Sequence, residues 1–179
     1  MKDNFTCIRA TPRSRENLRL LASSIREKFG ISDDQPFPIV EFLELVLPAL
    51  FENYSFEVAS KEEMGSKHGE TIPGSNTIRI REDIYLGACE GKGRDRLTLA
   101  HELGHLLLHA SGISYIFDTD VDGPAYVSPE WQATAFGGEL LMPYQKIVYM
   151  TPESISSRYW VSLAAACTQL RSATRRVSA

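Results

Sequence analysis

The chain has 179 residues, 43% of them hydrophobic and 23% charged, with a net charge of −4. This composition fits one soluble globular domain, or one with a small appendage, and it excludes a membrane-spanning chain, because no apolar run approaches the roughly 20 residues a span requires. Cys7, Cys89 and Cys167 are far apart and never in C-x-x-C spacing, which excludes a disulfide framework and a cysteine zinc site. Together with a start that lacks the apolar core of a secretory signal, they predict a cytoplasmic protein.

In chain order, Ser14 to Phe29 places Leu18, Leu21, Ala22, Ile25 and Phe29 at helical spacing, with Ser14 as N-cap and Gly30 as stop. A second helix is predicted over Pro38 to Phe51, with Val40, Leu43, Val46 or Leu47, and Leu50 inward and Pro48 bending or ending it. This helical pair reads as a cover with no chemistry of its own. Ser55 to Ser60 and Thr77 to Arg81 alternate as strands, with Gly65 to Thr71 ambiguous between them. A small antiparallel sheet is therefore expected, and a free edge on it would let an extended peptide add as one more strand. Gly87 to Gly93 reads as a flexible loop.

The next stretch carries the chemistry. Leu97 to His109 reads LTLAHELGHLLLH, a helix apolar on nearly every side except at His101, Glu102 and His105. Residues four apart on a helix differ by about 40° around its axis, so both imidazoles project from one face and can chelate one ion. Glu102 lies at the edge of that face, where a carboxylate can hold a water. H-E-x-x-H is the zinc-hydrolase arrangement, and buried polar groups of this kind need partners that a metal supplies.

Ser111 to Pro129 is expected to be a long loop, and a helix should run from Glu130 to Met142, capped by Ser128 with Pro129 at its first position. Two short helices joined around Trp160-Val161-Ser162 complete the chain. The third ligand that a catalytic zinc requires has several candidates: His68, His109, the acidic loop Asp118, Asp120 and Asp122, and Glu130 or Glu139. His109 is disfavoured, since three ligands on successive turns of one straight helix spread over more than about 10 Å. The acidic loop opens like a calcium-binding EF-hand, but Pro129 occupies the place where that loop needs Glu. Tyr115, Tyr126 and His109 are candidate oxyanion donors, and Glu139, Asp95 or backbone carbonyls are candidate acceptors for the imidazoles' second nitrogens.

Three blocks resemble the ImmA/IrrE-type metallopeptidases: RDRLTLAHELGHLLLH (Arg94 to His109), EWQATAFGGELLMP (Glu130 to Pro143) and, more weakly, YWVSLAAACTQLR (Tyr159 to Arg171). Thr134, Gly137 and Leu97 stand where that family usually has Asn, Ala and Phe. The resemblance implies a mostly helical α+β, zincin-like fold with a small antiparallel sheet beside the H-E-x-x-H helix. The metallopeptidase domain with its helical cover would span residues 1–142, and residues 143–179 would form a helix-turn-helix-like extension or a continuation of the same domain. It also implies Zn2+ held by His101, His105 and Glu130, with Glu102 as catalytic base.

The function expected on this basis is a zinc endopeptidase with a narrow protein target, a helix-turn-helix repressor or antitoxin. The alternative is a non-proteolytic toxin or antirepressor that keeps the metal site and acts by binding. Both ends of the chain are basic: Met1 to Gly30 carries seven Lys/Arg against three Asp/Glu, and Pro143 to Ala179 five against one. The middle is acidic, which suits a cation site or a basic partner. The basic ends read as solvated. Arg158, Arg171, Arg175 and Arg176 are too few, and Leu163, Ala164, Ala165, Ala166 and Leu170 too apolar, for the tail to be a nucleic-acid surface.

Overall fold

A computed structural model describes residues 8–72, 74–109, 113–115 and 124–174. The elements in order are β1 (Ile8–Ala10), α1 (Arg15–Lys28), α2 (Ile39–Glu41), a π-helical turn (Phe42–Val46), α3 (Leu47–Leu50), β2 (Ser55–Ala59), α4 (Lys61–Met64), β3 (Gly69–Ile72), β4 (Thr77–Arg81), α5 (Glu82–Cys89) and α6 (Gly93–His109). They continue with β5 (Ile113–Tyr115), a 3-10 turn (Ala125–Val127), α7 (Pro129–Leu141), α8 (Tyr144–Ile147), α9 (Pro152–Tyr159) and α10 (Leu163–Thr174). The fold is mostly helical α+β, as expected, with one three-stranded sheet.

α1 starts where its sequence says it should. The Ser14 hydroxyl accepts from the Asn17 backbone N–H while the Asn17 side chain accepts from the Ser14 backbone, a reciprocal cap that satisfies two donors at the helix start. Its buried stripe is Leu18 and Ala22, joined by Arg26, which the apolar spacing did not reveal. The Arg26 guanidinium reaches Leu140 O at 2.8 Å, Ser32 O, Gln35 O and the Asp33 carboxylate at 3.1 Å, so it ties the end of α7 to the turn after α1. Arg15 and Arg19 bind Glu139 at 2.8 and 3.0 Å, and the Glu139 side chain is 1% exposed. Part of the N-terminal positive charge is thus internal rather than solvated, because a buried carboxylate needs charged donors.

The helix predicted over 38–51 exists but is not regular. Pro48 has no N–H for the bond to residue 44 and its ring crowds that carbonyl, and the backbone widens into the π turn Phe42–Val46 just before it. Val40, Leu43 and Leu47 point inward as expected, whereas Leu50 is 49% exposed.

The sheet corrects one expectation. Its order is β2-β4-β3, with β3 antiparallel to β4 and β2 parallel to it, so it is mixed rather than antiparallel. Alternation identified the strands, but the direction of β2 is set by the α4 and β3 crossover that returns the chain to the far side of β4. The segment read as a flexible loop is helical at both ends: α5 runs to Cys89 and α6 starts at Gly93, which leaves residues 90–92 as the turn between them. Two of its glycines are there for close approach. A Cβ on Gly87 would lie 1.9 Å from the Asp95 carboxylate, and one on Gly93 would lie 2.2 Å from the Val161 backbone. The long loop before α7 also holds structure, since β5 pairs antiparallel with β1. The acidic positions Asp118, Asp120 and Asp122 lie outside the described residues.

α6 and α7 cross closely at two glycines. A Cβ on Gly104 would meet Ala133 Cα at 2.9 Å and its carbonyl at 3.1 Å, and one on Gly137 would meet the Ala100 and His101 backbone at 3.2 and 3.3 Å. Behind this crossing Leu99, Leu103, Phe136 and Leu140 form the centre of the core, and Ile147, Ile155, Tyr159, Val161 and Ala166 from the C-terminal helices join the same cluster. No helix among the described residues is long and apolar enough to cross a membrane. Because Gly104 faces backbone rather than a yielding side chain, Gly104→Val is expected to destabilise the fold by about 1–3 kcal/mol or more, read as a lowered urea midpoint. An unchanged midpoint would contradict the close crossing.

Candidate metal centre

α6 presents His101, Glu102 and His105 toward one cleft. His101 and His105 are partly exposed, with side chains 22% and 18% accessible, and Glu102 is buried. The fourth residue comes from the start of α7. The Ser128 hydroxyl accepts from the Trp131 N–H and Pro129 fits the first helical position, so Glu130 is held in the first turn, over the imidazoles. Its Oε2 lies 3.3 Å from His101 Nε2 and its Oε1 3.3 Å from His105 Nε2, while the two Nε2 atoms are 3.0 Å apart. The imidazoles facing Glu130, His101 first and then His105, hold its carboxyl below the ordinary range, so it is an anion. A tetrahedral zinc with Zn–N of about 2.0–2.1 Å sets its ligand atoms about 3.3 Å apart. The two nitrogens and one carboxylate therefore have both the chemistry and the spacing of a three-residue zinc site with one position open. Among the described residues, this is the one group of three or more His, Cys, Asp or Glu arranged to hold an ion.

Glu102 sits beside that set, not in it. The Thr71 hydroxyl lies 2.9 Å from both Glu102 Oε2 and the Glu102 backbone carbonyl. Burial pushes the Glu102 carboxyl upward, and the Thr71 bond and the two imidazoles work against that rise. Gly69 makes the fit possible, since a Cβ there would come within 2.9 Å of Glu102 Cγ. Strand β3 thus forms one wall of the cleft and Ser128 to Glu130 the other, around a cavity of about 660 Å3 that also meets Lys67 and Glu70.

Each of the two imidazoles has a partner on its other nitrogen. His101 Nδ1 is 3.2 Å from Thr134 Oγ1, and His105 Nδ1 is 3.0 Å from His109 Nδ1. His109 is buried, which lowers its pKa, and its Nε2 lies 3.1 Å from Gln132 Oε1. His109 therefore supports the site from behind rather than facing the cleft.

The other candidates fall elsewhere. His68 lines the neighbouring groove with Leu97, Thr98 and Thr134, outside the three-residue group. Glu139 is held by Arg15 and Arg19, and Asp95 packs at Gly87, so neither supports an imidazole. Tyr126 is 48% exposed, and the Tyr115 side chain lies outside the described residues. Thr71 and Gln132 were missed by sequence reasoning. Thr71 carries no local signal, whereas Gln132, two residues after Glu130 on a helix facing α6, could have been suspected.

A family model described as the IrrE N-terminal-like domain of the M78 peptidases matches residues 56–171. The matched span runs from β2 into α10 and contains α6 and the start of α7. No curated protein matches the chain.

Proposed function

The chain belongs to the IrrE N-terminal-like, M78 peptidase family, and on that premise we propose that it is a zinc-dependent endopeptidase with a narrow protein target. The observation that carries this reading is the convergence of His101, His105 and Glu130 within 4.8 Å of one another beside a buried carboxylate that is free of the ligand set. Zinc, when bound there, supplies Lewis-acid polarisation of a scissile carbonyl and acidifies a water to a pKa of about 7.

The chain's own residues do the rest. Glu102, oriented by Thr71, takes the proton from the attacking water and passes it to the leaving amine. Burial, which favours the protonated carboxyl, assists the first of these transfers by making Glu102 a better base than an exposed glutamate. Strand β3 is an edge of its sheet among the described residues, and it borders the cleft through Gly69, Glu70 and Thr71. An extended substrate segment pairing with that edge would be carried across the site by backbone bonds, with side-chain selection left to Lys67, Glu70 and the Ser128–Glu130 wall.

The target we propose is a DNA-binding helix-turn-helix repressor or antitoxin. The family resemblance supports it, and so does the acidic middle of the chain, which complements a basic regulator. The test is incubation with the helix-turn-helix regulator encoded beside this chain. Two discrete fragments are expected, lost on chelation and regained with Zn2+. A stable complex with an intact regulator, with or without Zn2+, would overturn proteolysis in favour of inhibition by binding.

A further inference from the structure

The polar chain behind His105 has a direction that its far end dictates. Gln132 Nε2 faces two backbone carbonyls, Thr11 O at 2.9 Å and Tyr126 O at 2.7 Å. Only the amide NH2 can donate to carbonyl oxygens, so the orientation of the Gln132 side chain is fixed and Oε1 must be the atom facing His109. An amide oxygen can only accept, so His109 Nε2 carries the hydrogen across the 3.1 Å contact. A neutral His109 then has a bare Nδ1, and the atom 3.0 Å from it, His105 Nδ1, must donate. A neutral His105 is left with its lone pair on Nε2, and the hydrogen between the two imidazoles and Glu130 is then carried by His101 Nε2, 3.0 Å from His105 Nε2 and 3.3 Å from Glu130 Oε2.

We propose that Gln132 and His109 form a relay that holds His105 in the single tautomer competent to ligate through Nε2, anchored on the Thr11 and Tyr126 carbonyls. The proposal rests on the reading of His101, His105 and Glu130 as the metal ligands. Gln132 and His109 are positioning residues, since neither touches the ion site. The two ligand histidines differ in this respect. His101 meets the Thr134 hydroxyl, which both donates and accepts, so that contact serves either tautomer and lets His101 give up its Nε2 hydrogen when an ion binds. His105 is the pre-set ligand and His101 the adaptable one. The relay also reaches beyond the segment that matches the family model, because Thr11 precedes residue 56. One end of the chain thereby helps to set a ligand on α6, and the reciprocal cap of α1 follows just three residues later.

Metal ligands usually owe about 10–100-fold of their affinity to the acceptor behind the imidazole. The test uses full-length, metal-free protein at about pH 8, where an ordinary histidine is neutral. Imidazole 15N spectra should show His105 protonated at Nδ1 alone and His109 at Nε2 alone. In His109→Leu, which removes the acceptor but keeps an apolar filler in a buried site, His105 should become a mixture of tautomers and the zinc Kd should rise about 10–100-fold. In His109→Asn, whose Oδ1 stands near the place of the imidazole Nδ1, the His105 signal and most of the affinity should return. A wild-type His105 protonated at Nε2 overturns the relay, as does a His109→Leu variant that keeps both the single tautomer and the wild-type zinc Kd. If the wild-type chain takes up no zinc, the metal reading fails, while the spectra of the metal-free protein still decide the relay.

Discussion

Glu102→Gln is expected to bind zinc as tightly as the wild type and to cleave its target about 10^2–10^4-fold more slowly, the range that a positioned general base contributes. The two halves of this result come from separate features. Zinc binding survives because Glu102 is not among the three residues whose ligand atoms converge. Cleavage is lost because an amide cannot take the proton of the attacking water. The substitution is nearly isosteric, and the amide oxygen can still accept from the Thr71 hydroxyl that lies 2.9 Å from Glu102 Oε2, so the side chain keeps its place. Burying an amide is also less costly than burying a carboxylate, and the fold should be at least as stable. The measurement is zinc content by elemental analysis beside a time course of fragment formation. Cleavage at the wild-type rate would remove Glu102 from the mechanism, and loss of zinc would make it a ligand.

The parts of this molecule that were legible in the sequence are those written in local code. Ser128, Pro129 and Glu130 announce the start of α7 through capping chemistry alone, and the helix begins where they place it. The four-residue spacing of His101 and His105 dictates a shared helix face, and their Nε2 atoms meet. What was not legible depends on contacts between distant segments. The parallel pairing of β2 with β4 follows from a crossover, not from alternation within either strand. Arg26 looks like a surface residue at a helix end until the Leu140 carbonyl and the 32–35 turn close around it. Glycine misleads in both directions: Gly91 does take a left-handed φ of 82°, whereas Gly87 and Gly93 are close-packing positions in helices rather than signs of flexibility. Thr71 is invisible for the same reason, since only the docking of β3 against α6 brings its hydroxyl to Glu102.

Glu130→Ala is expected to give the opposite signature: a folded protein that fails to hold zinc. A tetrahedral zinc site in a protein is worth about 10–16 kcal/mol in all, or roughly 3 kcal/mol per ligand, so removing one should raise the zinc Kd at least about 100-fold. The fold should not follow, because the Glu130 side chain is 74% exposed. Alanine is a strong helix former, and the losses are the favourable meeting of an anion with a helix N-terminus, about 0.3–1 kcal/mol, and the partly exposed contacts of the carboxylate with His101 and His105. Added zinc should therefore raise the wild-type melting temperature, since a ligand that binds only the native state stabilises it, and should leave that of Glu130→Ala nearly unmoved. This separates Glu130 from Gly104, whose replacement lowers the melting temperature with or without zinc. Full zinc occupancy in Glu130→Ala would mean that another side chain completes the site. His68, in the adjoining groove, and the acidic positions Asp118, Asp120 and Asp122 would be the next to replace.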